Sequence, residues 1–134
     1  MRRSTFSIAS HLYRRLNGLD VVREITGGVY KENRPANSDK EDIVISAEGP
    51  ILEAGGMSKA SIRVFTSPVF SDRGNAVEMV PDYKRLEYLC GKIFDGIDEV
   101  FFAGCLTWVD SQTFSPQGDM FCAELGVSVS LRGL

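Results

Sequence analysis

Met120-Phe121-Cys122-Ala123-Glu124-Leu125-Gly126-Val127-Ser128-Val129-Ser130-Leu131 carries the most regular pattern in the chain. Phe121, Ala123, Leu125, Val127, Val129 and Leu131 fall on one parity, and Cys122, Glu124, Gly126, Ser128 and Ser130 on the other. Successive strand side chains point to opposite faces. The stretch therefore predicts a strand with one buried face and one turned to solvent or a partner. Just upstream, Val100 to Val109, with Phe101, Phe102 and Trp108, predicts a neighbouring strand. Asp110 to Asp119, with Pro116 and Gly118, reads as the long hairpin loop between the two.

Two segments switch from alternation to helical spacing. From Thr5 to Leu16, Ile8, Ala9, Leu12, Tyr13 and Leu16 form an apolar stripe, with Ser4 as N-terminal cap and Asn17-Gly18 as a left-handed stop. Within it His11 reads as exposed polar filler. From Asp82 to Phe94, Leu86, Leu89, Cys90, Ile93 and, just beyond, Ile97 form a second stripe, with Lys84, Arg85, Glu87 and Lys92 turned outward. Pro81 suits the first helical position and Gly96 the stop, while Gly91 costs about 1 kcal/mol relative to Ala. Val21, Val22 and Ile25 predict a short apolar turn ended by Gly27-Gly28.

Between the helices, Val29-Tyr30, Ile43 to Ala47 and Ser61 to Thr66 read as strands, punctuated by Gly49-Pro50, Gly55-Gly56 and Ser67-Pro68, with a turn at Asp72 to Asn75. Lys31 to Asp42 has only Ala36 as a small apolar side chain and contains Pro35, so it predicts an exposed excursion. The order is α-β-β-β-α-β-β: an α+β fold, a mainly antiparallel sheet with two helices packed on one face, filling 1–134 as a single domain.

Composition bounds the rest. The chain has 134 residues, 43% hydrophobic and 25% charged, which is ordinary for a globular domain and excludes collagen-like, coiled-coil and wholly disordered chains. Fifteen basic residues against eighteen acidic give a net charge of −3, so no general nucleic-acid patch is implied. No segment has the ~20 apolar residues of a membrane span, and the basic start Met1-Arg2-Arg3 has no apolar run behind it. Cys90, Cys105 and Cys122 are odd in number and form no Cys-x-x-Cys pair, so reduced thiols in a cytoplasmic setting fit, although Cys105 and Cys122 flank the predicted hairpin.

Little in the chain points to a reaction. His11 is the lone histidine and no Gly-x-Ser-x-Gly is present, so a nucleophilic triad has no support. Gly55-Gly56-Met57-Ser58-Lys59 lacks phosphate-loop spacing and leads into a strand. The acidic groups Asp39, Glu41, Asp42 and Asp95, Asp98, Glu99 lack alternating calcium-loop spacing and read as solvated. Phe101, Phe102 and Trp108 read as core or subunit interface, because no basic residue lies between Lys92 and Arg132 to pair with them in a nucleic-acid surface. No catalytic residue, cofactor or metal is assigned.

Particular words then resemble a known group. Ile25-Thr26-Gly27-Gly28-Val29-Tyr30, Arg34-Pro35 and Asn37-Ser38-Asp39-Lys40-Glu41-Asp42-Ile43-Val44-Ile45 are similar to small tail-completion proteins of long-tailed phages and prophages, a group resembling the tail terminator (neck ring) family. The likeness to that plan runs from about Phe6 to Leu131, with a departure at Ser61-Ile62-Arg63-Val64-Phe65-Thr66, where those proteins carry a more Asn-rich strand. The resemblance implies a non-enzymatic virion protein, assembled in the host bacterial cytoplasm. It implies a homo-oligomeric ring, often a hexamer, at the head-proximal end of the tail, touching tail-tube and head-connector proteins. Membrane and specific nucleic-acid partners are not expected. Arg34, Asp39, Glu41 and Asp42, charges of both signs on one loop, are the expected subunit-interface residues. The alternative is a free-standing α+β ligand-binding or regulatory module.

Overall fold

A computed structural model describes residues 2–48, 52–53, 56–74 and 76–131. The elements run β1 (Arg2–Arg3), α1 (Thr5–Asn17), a 3-10 turn (Asp20–Arg23), β2 (Val29–Lys31), β3 (Ile43–Glu48), β4 (Leu52–Glu53), β5 (Met57–Thr66), β6 (Val69–Arg73), β7 (Ala76–Val80), α2 (Tyr83–Ile97), β8 (Val100–Phe102), β9 (Cys105–Gln117) and β10 (Met120–Leu131). Six strands form one sheet in the order β2-β3-β5-β10-β9-β8, while β1-β4 and β6-β7 make separate two-stranded ribbons.

The α+β class holds, with both expected helices, but the element order is richer than expected. Every pairing in the main sheet is antiparallel except one: β2 runs parallel to β3, with Val29 opposite Ile43. A tight turn can only reverse a chain, whereas the 32–42 connection is long enough to carry it back to the start of the next strand. The expected Val100 to Val109 strand is broken at Ala103-Gly104 into β8 and β9, so Phe101 and Phe102 lie on a different strand from Trp108. The expected 110–119 loop is strand as far as Gln117, closed by a two-residue turn at Gly118-Asp119 in which Gly118 has φ +60°. Of the expected turn at 72–75, Asp72 and Arg73 lie on β6 and Gly74 follows it, while Asn75 lies outside the described residues. Gly49, Pro50 and Gly55 lie outside the described residues.

Ser4 caps α1, its Oγ accepting from the Ser7 N–H at 3.2 Å, and Gly18 ends it. Gly18 is right-handed (φ −81°), not left-handed as expected, because the chain tightens directly into the 3-10 turn through Leu19 N–H to Leu16 C=O, 2.9 Å. Asp82, not Pro81, begins α2: its carboxylate accepts from the Arg85 N–H at 3.1 Å, leaving Pro81 just outside.

The core joins both helices to the sheet. Ile8, Leu12 and Leu16 of α1 and Leu89, Ile93 and Ile97 of α2 lie with Ile43, Ile45, Ile62, Val64, Leu125, Val127 and Val129, all fully or almost fully buried. At about 1.5–3 kcal/mol per large apolar side chain, this layer dominates the stabilising side of folding. His11, expected on the surface, is fully buried, its ring 5.3 Å from that of Phe102. One turn from Ile8 and next to Leu12, it lies on the same helical stripe. On the opposite sheet face, Val44, Phe65, Met120 and Cys122 form a small second cluster.

Candidate functional site

The 32–42 excursion is anchored at its ends. Asp42 is 1% exposed, and its Oδ2 lies 3.2 Å from Arg34 Nε and accepts from Ser38 Oγ at 2.6 Å. Its Oδ1 accepts from the Gly28 N–H at 3.1 Å. Arg34 also donates to the Ser38 carbonyl and to Met120 Sδ, and its guanidinium sits 4.2 Å from the Phe65 ring centroid. A Cβ at Gly27 would fall 1.9 Å from Asp42 Oδ1, so a glycine there is what lets the carboxylate approach. Three partners satisfy a carboxylate charge that would otherwise be very costly to bury.

A second anchor ties the loop to α2. Glu41 accepts a fork from Arg85, Nε to Oε2 at 2.7 Å and Nη2 to Oε1 at 2.8 Å. Arg85, expected outward, is half-buried here and also donates to the Glu24 carbonyl at 2.6 Å. Hydrogen bonding to Glu41 holds its guanidinium above its ordinary pKa. Tyr88 donates to Glu24 Oε1 at 2.6 Å, which raises the phenol likewise. Glu41 N–H donates to Thr26 Oγ1 at 2.9 Å.

Arg34, Glu41 and Asp42 are thus brought together as the footing of the loop, each engaged within the chain. Asp39 is placed apart from them, exposed, contributing its carbonyl to Ser67 Oγ at 3.3 Å. Between the anchors, Pro35, Ala36 and Asn37 form an exposed crest, with Asn37 at φ +58°.

Two further surfaces were not legible as such. The β6-β7 hairpin forms an arm on which Phe70 pairs with Met79 and Asp72 with Val77, placing these four on one face. Phe70 is 71% and Val77 69% exposed. The signal in the sequence is Val69-Phe70 and Val77-Glu78-Met79-Val80 flanking the Asp72 to Asn75 turn. Separately, α2 and β9 enclose an open groove of about 410 Å³, lined by Tyr83, Leu86, Cys90 and Phe94 on one side and Gln112 and Phe114 on the other. Phe114 stacks on Phe121 at 5.6 Å and lies 6.2 Å from Tyr83.

Away from the Val44–Phe65–Met120–Cys122 cluster, the outer sheet face carries polar contacts. Lys59 Nζ contacts Asp110 Oδ2 at 2.6 Å, and Ser128 Oγ bonds the same carboxylate, holding it below the usual range. Cys105 lies opposite Leu131 and Cys122 opposite Ser115, near opposite ends of the hairpin; Cys90, Cys105 and Cys122 are all buried. Among the described residues, no group of three or more His, Cys, Asp or Glu is placed to share a metal ion, and no helix is long and apolar enough to cross a membrane.

No protein-family model matches this chain, and no curated protein matches it.

Proposed function

We propose that this chain is a non-enzymatic structural subunit that assembles with its own copies into a ring, as the tail-completion proteins resembled by its sequence would. It sits at the head-proximal end of a phage or prophage tail, between tail-tube and head-connector proteins, after assembly in the bacterial cytoplasm. The observation that carries the reading is the amount of large apolar surface left uncovered in one chain: Phe6, Phe70, Val77, Tyr83 and Phe101 are all more than half exposed. Single exposed apolar residues are ordinary, but a ribbon face and a groove lined with them are what surfaces awaiting protein partners look like.

In this reading the loop presents Asp39 and the 35–37 crest to the neighbour, while Arg34, Glu41 and Asp42 set register by holding that crest in one position. A pre-ordered loop loses less conformational freedom on association than a mobile one.

The test is electron microscopy of the concentrated chain together with immunogold labelling of tails from its parent element. Rings with a central channel, and label at the tail end that meets the head, are expected. A chain that stays monomeric up to millimolar concentration, with unlabelled tails, overturns the reading.

A further inference from the structure

We infer that the β6-β7 arm of one copy docks against the exposed edge of β9 and into the α2–β9 groove of the next copy. This deepens the ring reading and rests on it, naming the two surfaces that meet.

A two-stranded ribbon alone in water is marginally stable and needs a further strand or helix against its apolar face. Here that face, Phe70, Met79 and Val77, is exposed. The groove is open in the same molecule, so the arm does not fill its own groove.

β9 pairs with β8 only at Cys105 to Thr107, and the Val109 N–H is taken by Asp98 Oδ1 at 2.9 Å. Among the described residues no strand pairs with that edge from Asp110 to Gln117. Unpaired strand edges are templates for strand addition. Eight residues of edge accommodate either five-residue strand of the arm. Alternate side chains of an added strand point to the helix side of the sheet, where the groove holds Tyr83, Phe94 and Phe114.

The area is sufficient. The three apolar arm side chains expose roughly 300 Å², and Tyr83, Phe94 and Phe114 about as much again. At the apolar share of ordinary interfaces this corresponds to about 1,100 Å² buried in total, just above the ~1,000 Å² expected of a specific contact. Each copy carries both surfaces, so the contact is head-to-tail, and it closes into a ring where the rotation between copies permits.

The test uses two variants of the full chain. F70E/V77E spoils the arm and leaves the groove; G91R fills the groove and leaves the arm. A Cβ at Gly91 meets nothing within 4 Å, so the arginine has open space to enter and the variant is expected to keep the fold, which a thermal melt checks. By light scattering the wild type is expected to form closed oligomers. Each variant alone is expected to be monomeric, and an equimolar mixture to stop at a heterodimer, since only one intact contact remains. Wild-type oligomers with variants that assemble equally well overturn this inference and leave the ring reading standing. A mixture that gives no heterodimer does the same. A wild type that never assembles removes both.

Discussion

Asp42 Oδ2 lies 3.2 Å from Arg34 Nε, with the carboxylate buried and the guanidinium stacked on Phe65. Both belong to a stretch whose composition reads as solvated, yet together they fasten it to the sheet. Removing one partner strands the other charge, which costs about 3–5 kcal/mol in buried pairs. Asp42→Ala and Arg34→Ala are therefore each expected to lower unfolding free energy by that order in urea melts. Losses below about 1 kcal/mol would show the pair to be a solvated contact. Charge reversal at Arg34 thus reports first on folding; an assembly assay on it needs a stability control.

Glu41 and Arg85 make the second tie, a two-point fork between loop and helix. Both are partly buried, so their coupling should exceed that of an exposed pair, about 1–2 kcal/mol in a double-mutant cycle of Glu41→Gln and Arg85→Met. Arg85→Lys is expected to recover less than half of it, because an ammonium cannot form the fork or also reach the Glu24 carbonyl. Full rescue by lysine would reduce the interaction to simple charge attraction.

What could be read from sequence follows from which signals are local. The β10 alternation and the two helical stripes are periodic, and Phe121, Ala123, Leu125, Val127, Val129, Leu131, Leu86, Leu89 and Ile93 are all buried as that periodicity requires. The polarity of His11 predicts exposure, but its place on the stripe one turn from Ile8 decides burial. Beyond Val109, Asp110, Ser111 and Gln112 are not strand formers and predict a loop; pairing with β10 overrides that propensity. The parallel β2-β3 pair and the Asp42 anchor depend on contacts across the loop, for which the sequence carries no periodic sign. Of the four candidate loop residues, composition located the segment but not which side chains turn inward.

Burial pushes the Cys90 thiol up to about 11 and the Cys122 thiol up to about 11, from an ordinary 9.0. The folded state therefore holds protons that the unfolded chain releases, and stability falls as pH rises from about 9 through about 11. Urea midpoints measured across that window should decline less steeply in Cys90→Ala and Cys122→Ala than in the parent, which separates the thiols from lysine and tyrosine ionisation. At neutral pH all three buried thiols should react with a disulfide reagent far more slowly folded than in urea. Rapid reaction of the native protein would contradict the packing around them.

Two glycines should respond in opposite directions to the same added methyl. At Gly27 a Cβ would fall 1.9 Å from Asp42 Oδ1 and 2.4 Å from the Glu41 carbonyl, and neither can yield without opening the Arg34 pair or the Gly27 N–H to Glu41 C=O bond of 2.8 Å. Gly27→Ala is expected to cost at least about 2 kcal/mol, a strain and buried-polar effect. Gly91 lies mid-helix with open space around its Cβ, so Gly91→Ala removes only backbone freedom in the unfolded chain and should raise stability by about 1 kcal/mol. Thermal unfolding of the two variants beside the parent decides it. Stabilisation at Gly27 would mean that Asp42 is not held where its hydrogen bonds place it, and a loss at Gly91 would mean that the α2 surface is already covered by something a methyl displaces.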